Sequence, residues 1–512
     1  MLKRFFLLFF VALSALLPSQ AQETHFPCGI DHEGAQLLTE RLLENKAALE
    51  AGLITERSTS YVPVKFHLVG QADGSGRVSP SRVLDQLCAL NEDFAPADIQ
   101  FYIKDGFNEI FNNAVFENHS NTQNTIMEFE RDNNAINVFI PANANTGGGG
   151  IGTTLGYYSP FKDWLVIRKN DVGTSEITMT HEFGHFFSLP HPFNGWDFEP
   201  WDAAMHGTTV NQTTAPDNFT PVELADGSNC GSAGDFICDT PPNYNFGFGW
   251  VNCNFTTEVK DRNGDVLDPE ERLFMSYFLN CPREEYFFSD DQISLMQADL
   301  ASSQRSYIRS NHTPVLEEIN ETPVLTGPIN SEIVEGFNAV NLSWDPVPGA
   351  QAYVLQISRL PTFSATLTVY DEVVYGTSKV INSLLENTNY FWRVRPFSAY
   401  RTCTEFSDAE AFTTGSTVAA DDIELLDVFN VAPNPVSGQA NVLINLKANQ
   451  AFSAFLSVHN MAGQEIAQLG EVKVQQGSSS FEMPAQNLSP GVYLIGLSSP
   501  EGRQFKRLVV TR

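Results

Sequence analysis

Positive charge is scarce in this 512-residue chain. Thirty lysines and arginines stand against 61 aspartates and glutamates, a formal net charge of −31. Phosphate backbones and anionic lipid surfaces repel such a polyanion, which excludes nucleic acid or an anionic membrane surface as its main partner. Long apolar runs are missing too: after Leu17 no segment is apolar for long enough to span a bilayer. Cysteine is sparse and odd in number. The seven cysteines include no C-x-x-C pair, which argues against a structural zinc knuckle.

What is present begins with an export signal. Lys3-Arg4 precede an almost wholly apolar run from Phe5 to Leu17, and Ser19-Gln20-Ala21 then offers small residues for cleavage. This reads as a secretory signal peptide over residues 1–21, so disulfides are permitted and at least one cysteine is left over. Residues 22–56 form a separate, mostly helical segment, with Leu37, Leu38, Leu42, Leu43 and Leu49 spaced among charges from Glu33 to Leu53. It is too short to fold alone.

The chemistry is concentrated in His181-Glu182-Phe183-Gly184-His185, followed six residues later by His191. Two histidines four apart on a helix share a face and can bind one Zn²⁺, with Glu182 beside them as general base. If the helix ends before His191, the returning chain supplies a third nitrogen. Three protein ligands leave a position open for water, the arrangement of a catalytic and not a structural zinc. Leu273-Phe274-Met275-Ser276-Tyr277 lies well downstream. A zinc helix with a third histidine, followed by such a methionine turn, is the metzincin pattern.

On these residues the chain resembles the pappalysin (cytophagalysin) family of metzincin proteases. Val62 to Val69 is similar to the family's first strand and Val83 to Phe94 to its first long helix. Gly156-Tyr157-Tyr158 and Leu165 to Lys169 resemble its approach to the zinc helix, and Gly234 to Pro241 the loop before the methionine turn. The resemblance implies that His181, His185 and His191 bind zinc, that Glu182 is the base, that Met275 lies under the histidines and that the Tyr277 phenol aids the oxyanion. It implies an extended polypeptide substrate paired along a rim from Gly147 to Tyr158. It brings calcium as a second cation. Asp261-x-Asn263-x-Asp265 offers oxygens for one, without the EF-hand glycine or terminal glutamate. It also favours Cys253–Cys281 and Cys230–Cys238 as disulfides, the second pair being local as well. Four cysteines permit three pairings, and sequence alone does not choose. Cys88 reads as a buried thiol on an apolar helix, and Cys403 carries no assigned role. Secreted metzincins commonly carry a propeptide. Cys28 as a thiolate or Asp31 as a carboxylate could then occupy the zinc; the plain alternative for Cys28 is a disulfide or a free thiol.

One residue departs from the family. Metzincins mostly have glycine where this chain has Ser188. A serine in the left-handed conformation expected there costs on the order of 1 kcal/mol. A second departure is Asn280, before Cys281, where relatives that prefer arginine carry an acid. A neutral amide there forms no charge-assisted pair with a basic side chain, although Glu284 and Glu285 are near enough in sequence to compensate. The expectation is a broader or weaker preference for arginine, and a mature N-terminus near Arg57, after Glu56.

Residues 321–416 alternate as strands do. The stretch Leu385-x-x-Thr388-x-Tyr390-x-Trp392 resembles the later strand of a fibronectin type III domain, with Tyr390 as its tyrosine corner. No cluster of catalytic residue types occurs there, so a spacer is the expected role. After a polar linker, residues 428–512 open on Pro433-Asn434-Pro435 and end on Lys506-Arg507-Leu508-Val509-Val510. They resemble the C-terminal sorting domain of Gram-negative type IX secretion. The expected protein is therefore multidomain. A propeptide (22–56) precedes an α+β metzincin catalytic domain (57–312) with a twisted sheet, a zinc-binding helix and a Met-turn. Two all-β sandwiches follow. The expected function is a secreted zinc endopeptidase whose partners are polypeptide substrates and the export machinery. The rival from another class is an adhesin on an inactive protease scaffold. Ser188 and the two accessory domains speak for it, and the intact histidines and Glu182 speak against it.

Overall fold

The computed structural model describes residues 28–53, 59–119, 124–145, 154–247, 253–309, 314–417, 423, 425–437, 440–460, 464–499 and 502–511. The expected signal peptide, Gly147 to Thr153 of the expected rim, and the Glu56-Arg57 bond lie outside the described residues.

The chain opens with α1 (His32–Glu50), then β1 (Ser60–Gly70), α2 (Pro80–Phe94), β2 (Ile99–Ile103) and β3 (Asn108–Phe111). Short helices α3 (Asn113–Glu117) and α4 (Asn124–Glu130) precede β4 (Ile136–Ile140), β5 (Gly156–Ser159) and β6 (Trp164–Ile167). These strands form one sheet in the order β2-β1-β4-β6-β5, with β3 continuing beside β1. All pairings are parallel except β5 on β6, so β5 is an antiparallel edge strand. The period-two pattern of β1 sends Val62, Val64, Phe66 and Leu68 into the main core. The other face, with Val69, Phe139, Trp164 and Val166, packs on Val115, Phe116 and Met127 of the short helices.

The main core is closed by α2, by α5 (Thr178–Phe186) and by α7 (Asp290–Ala301), with the single-turn α6 (Ala203–His206) in the long connection. Helix α7 starts on a reciprocal capping box between Ser289 and Gln292. Every residue of α5 is buried, which is unusual for a nine-residue helix and reflects its place between sheet and lower wall. That lower wall has little regular structure. Two disulfides, Cys230–Cys238 and Cys253–Cys281, cross-link it.

Residues 325–417 form a two-sheet sandwich, with Trp344, Tyr353, Leu355, Tyr390, Trp392 and Phe412 in its core. The Leu385 N–H donates to the Tyr390 hydroxyl at 2.9 Å, which fixes the corner where the chain changes sheets. The spacer expectation does not hold. Ala352, Val354 and Phe397 belong to the same main core as β1, α2 and α5. Cys88 is not a thiol: it is disulfide-bonded to Cys403, 315 residues away. Beside that bond, the Ser81 hydroxyl donates to Asp371 at 2.5 Å and Arg395 donates to Asp85 at 2.5 Å. Residues 423–511 form a second sandwich of a three-stranded and a five-stranded sheet, around its own separate core. Among the described residues, no helix is long and apolar enough to cross a membrane.

Candidate active site

Helix α5 ends because the chain turns sharply at Ser188, whose φ of 64° is left-handed. The Ser188 and Leu189 amides fold back onto the His185 and Gly184 carbonyls at 2.9 and 3.0 Å. This reversal brings His191 over the face that carries His181 and His185. The three Nε2 atoms form a triangle with edges of 3.1, 3.1 and 3.2 Å.

Each Nδ1 faces its own acceptor: the Phe274 carbonyl for His181 and the Leu189 carbonyl for His185, both at 2.7 Å, and the Asp197 carboxylate for His191 at 2.5 Å. A proton on each Nδ1 leaves each Nε2 a bare lone pair. Three lone pairs aimed at one buried point repel unless a cation lies between them. A tetrahedral ion with bonds of ~2.0–2.1 Å has edges of about 3.3 Å, close to those found. The donor set therefore fits a divalent transition-metal ion, with each imidazole oriented by its outer hydrogen bond. Burial pushes the His181 pKa down to about 3 and lowers that of His185 as well, so both are neutral and able to ligate.

Met275 lies fully buried beneath α5. A Cβ on Gly184 would stand 2.3 Å from its sulfur, so glycine is required within the histidine motif. Glu182 is fully buried and its Oε1 has no hydrogen-bond partner. Burial, against weaker pull from the Cys28 thiol and the Tyr158 backbone, pushes its carboxyl up to about 8. The Tyr277 ring packs at 4.8 Å from that of His191 and 4.6 Å from that of Phe193, with its phenol held neutral chiefly by burial.

Of the two latency candidates, only one reaches the site. The Cys28 sulfur joins the three histidine nitrogens in a group whose donor atoms lie within 4.8 Å of one another, and it donates to Glu182 Oε2 at 3.5 Å. Cys28 is the one cysteine outside the three disulfides, and burial holds its thiol well above the ordinary range. Its neighbour Gly29 donates to the Gly156 carbonyl at 3.0 Å, so the segment lies along the edge of β5 as an added residue of sheet. Asp31 does not approach the histidines. Its carboxylate caps α1, accepting from the Gly34 amide at 2.7 Å, a local bond that wins because the helix start needs an acceptor.

In the Asp261 stretch, the carboxylate accepts from the amides of Asn263, Asp265 and Ala225 at 2.8, 3.0 and 3.0 Å. A better-placed acid escaped notice in the sequence. Glu223 is buried, with Oε2 unpartnered, in the gap above Gly234, where any Cβ would stand 2.3 Å from it. Burial, and then the Asp235 charge, push Glu223 up to about 9; burial pushes Asp235 to about 8. Asp197 was missed as well. A lone acid six residues past His191 carries no pattern until the loop closes. Asn280, Glu284 and Glu285 are all exposed.

Comparison with known proteins adds two findings. Residues 430–511 match the family model described as the secretion system C-terminal sorting domain. The chain is also similar to extracellular metalloproteases of three fungi. Against that of Verticillium alfalfae it is 27% identical over 235 residues, covering 41% of this chain and 78% of that protein. Against that of Neurospora crassa it is 28% identical over 193 residues, 33% of this chain and 65% of the relative. Against that of Colletotrichum graminicola it is 30% identical over 155 residues, 27% and 54%. Solved fibronectin(III)-like modules of Clostridium thermocellum CbhA match at 10% identity and a TM-score of 0.15, over 37% of this chain and 93% of theirs. A fibronectin type III domain from a human protein matches at 23% identity and the same TM-score, over 18% and 71%. Likeness at that score carries no argument, and the sandwich stands on its own strands.

Proposed function

We propose that this chain is a secreted zinc endopeptidase of the metzincin type, held latent by residues 28–53 and exported through its C-terminal domain by type IX secretion. The observation that carries the reading is the triangle of three buried imidazole lone pairs beside the unpartnered carboxylate oxygen of Glu182. The similarity to extracellular metalloproteases and the sorting-domain match support it.

Zinc held by His181, His185 and His191 would supply Lewis acidity, polarising a peptide carbonyl and acidifying the attacking water. The rest of the work falls to this chain's own side chains. The edge of β5 pairs with an extended substrate and orients the scissile bond. Glu182 accepts the proton of the attacking water and passes it to the leaving amine. The Tyr277 hydroxyl donates to the oxyanion. Asp197 fixes the His191 tautomer and so keeps its lone pair on the metal side. In the latent form, Cys28 occupies the position that the water needs. Calcium is the companion charge we propose for Glu223 and Asp235, since a buried carboxylate with a free oxygen needs either a proton or a cation. Cleavage specificity is proposed to be a broader or weaker preference for arginine, in keeping with the neutral Asn280.

The test is direct. After removal of the N-terminal segment, the protein should cleave casein. A chelator should stop cleavage and added zinc should restore it. E182Q should retain one zinc and lose about 10²–10⁴-fold in activity. An adhesin on the same scaffold would show no chelator-sensitive cleavage.

A further inference from the structure

Helix α1 shows one face to the catalytic region. Leu38, Leu42 and Asn45, at helical spacing, are 1%, 0% and 7% exposed. A buried asparagine is costly unless its amide is satisfied, and here both amide hydrogens are used. Asn45 Nδ2 donates to the Ser188 hydroxyl at 2.9 Å and to Asp299 Oδ1 at 3.0 Å. Asp299 is buried in turn against Arg305, whose guanidinium bridges to Asp163 and to the Phe186 carbonyl at the end of α5. Arg41, one turn earlier on α1, donates to the Tyr158 hydroxyl at 3.1 Å, and Tyr158 donates to the same Asp163 at 2.7 Å. On the far side, Lys46 reaches the Phe236 carbonyl at 2.8 Å.

These contacts account for Ser188. Glycine would take a φ of 64° without strain, but it has no hydroxyl. Serine accepts the strain and gains a second acceptor for the Asn45 amide, beside Asp299. The groove between the end of α5 and α7 is thus shaped for one helix face, two leucines and an asparagine amide.

We propose that this groove is a binding site for residues 28–53 as a separable inhibitor, held at two independent points: Cys28 among the histidines, and Asn45 in the Ser188–Asp299 pair. Cutting the connection to β1 does not by itself release the segment. Activation requires a second cut within it, or displacement of the helix. This inference rests on the latency role proposed above for Cys28.

The experiment uses the full chain carrying E182Q, so that release is read without any peptidase activity and fails independently of the protease reading. Residues 54–58 are replaced by the recognition site of an added protease. The chain is cut, and the fragment that remains bound is followed by size-exclusion chromatography over time. With Cys28, Asn45 and Ser188 all present, the fragment should co-elute with the body. N45A should release it about tenfold faster or more, the loss expected for a buried amide pair. C28S should also speed release while leaving part of the fragment bound, and N45A with C28S should empty the site. S188G relieves the strained turn and removes the acceptor. It should speed release several-fold without lowering the unfolding temperature, and so tests the latch even if N45A folds poorly. Immediate loss of the unaltered fragment overturns the proposal. So does release from N45A and S188G no faster than from the parent, or complete release by C28S alone.

Discussion

The two β sandwiches are similar in build and opposite in attachment. The first, residues 325–417, has no independent boundary with the catalytic region. It lends Ala352, Val354 and Phe397 to the main core, and Cys403 ties it covalently to α2. The second, residues 423–511, closes a core of its own around Val442, Leu456, Ile495 and Leu508. Its side-chain bond toward the catalytic region, Gln464 to the Asp73 carbonyl at 3.2 Å, is exposed. Apolar burial sets this difference. A strand surface that completes another unit's core cannot leave without exposing it to water, whereas one joined through exposed polar atoms can.

The sharpest way to break the comparison is truncation. Ending the chain before residue 428 should leave catalytic folding, zinc content and casein cleavage intact, and should abolish delivery outside the cell. Ending it before residue 321 should abolish folding of the catalytic region, because buried faces of α2 and β2 lose their cover. Circular dichroism and metal analysis of both truncations decide it; a folded, zinc-bound product of the shorter chain would contradict the shared core.

A smaller effect is expected from the covalent tie. C88A with C403A should lower stability by about 2–5 kcal/mol without unfolding the protein, since the apolar and ionic contacts around it remain. Calorimetry should place that loss in the transition of the catalytic region and its sandwich. The transition of the sorting domain should not move.

The pH dependence sharpens the same division. Glu223 and Asp235 have folded pKa values of about 9 and 8, raised by burial above their ordinary 4.5 and 3.8. A carboxyl with a raised folded value contributes stability that is complete below its unfolded pKa and is lost as pH rises through the folded one. In chelator, the catalytic transition should therefore fall steadily from about pH 4 to about pH 9. Added calcium should remove most of that slope, and E223Q should remove most of the calcium effect. A slope unchanged by calcium would sink the cation assignment. The smallest effect is reserved for Q464A, which should change stability by under about 0.5 kcal/mol and leave activity untouched.

How much was legible follows from distance along the chain. His181, His185 and His191 could be read because helical periodicity and a single turn bring them together within eleven residues. The strand of Val62 to Val69 and the helix of Val83 to Phe94 were read by family resemblance, and the structure extends each by a few residues to Ser60–Gly70 and Pro80–Phe94. Tyr390 was legible by resemblance to a fibronectin type III strand, and the structure gives its hydroxyl a bond from the Leu385 amide five residues away. Asp31 was legible only in part. A carboxylate before a helical pattern is a natural cap, and that local role outweighed the metal-ligand role.

The sequence by itself determined the chemistry on offer: two imidazoles and a glutamate in helical register, a third imidazole just past the helix end, a methionine turn and strands in place of further catalytic groups. Tertiary structure alone decided which distant groups meet. It paired Cys88 with Cys403 because two separately patterned units share one core. It set Asn45 against Ser188 because an apolar helix face needed cover. It left Glu223 Oε2 without a hydrogen-bond partner because Gly234 lets the backbone close over it. Periodicity fixes neighbours one turn apart, while contacts across hundreds of residues depend on which apolar faces find each other when the chain collapses.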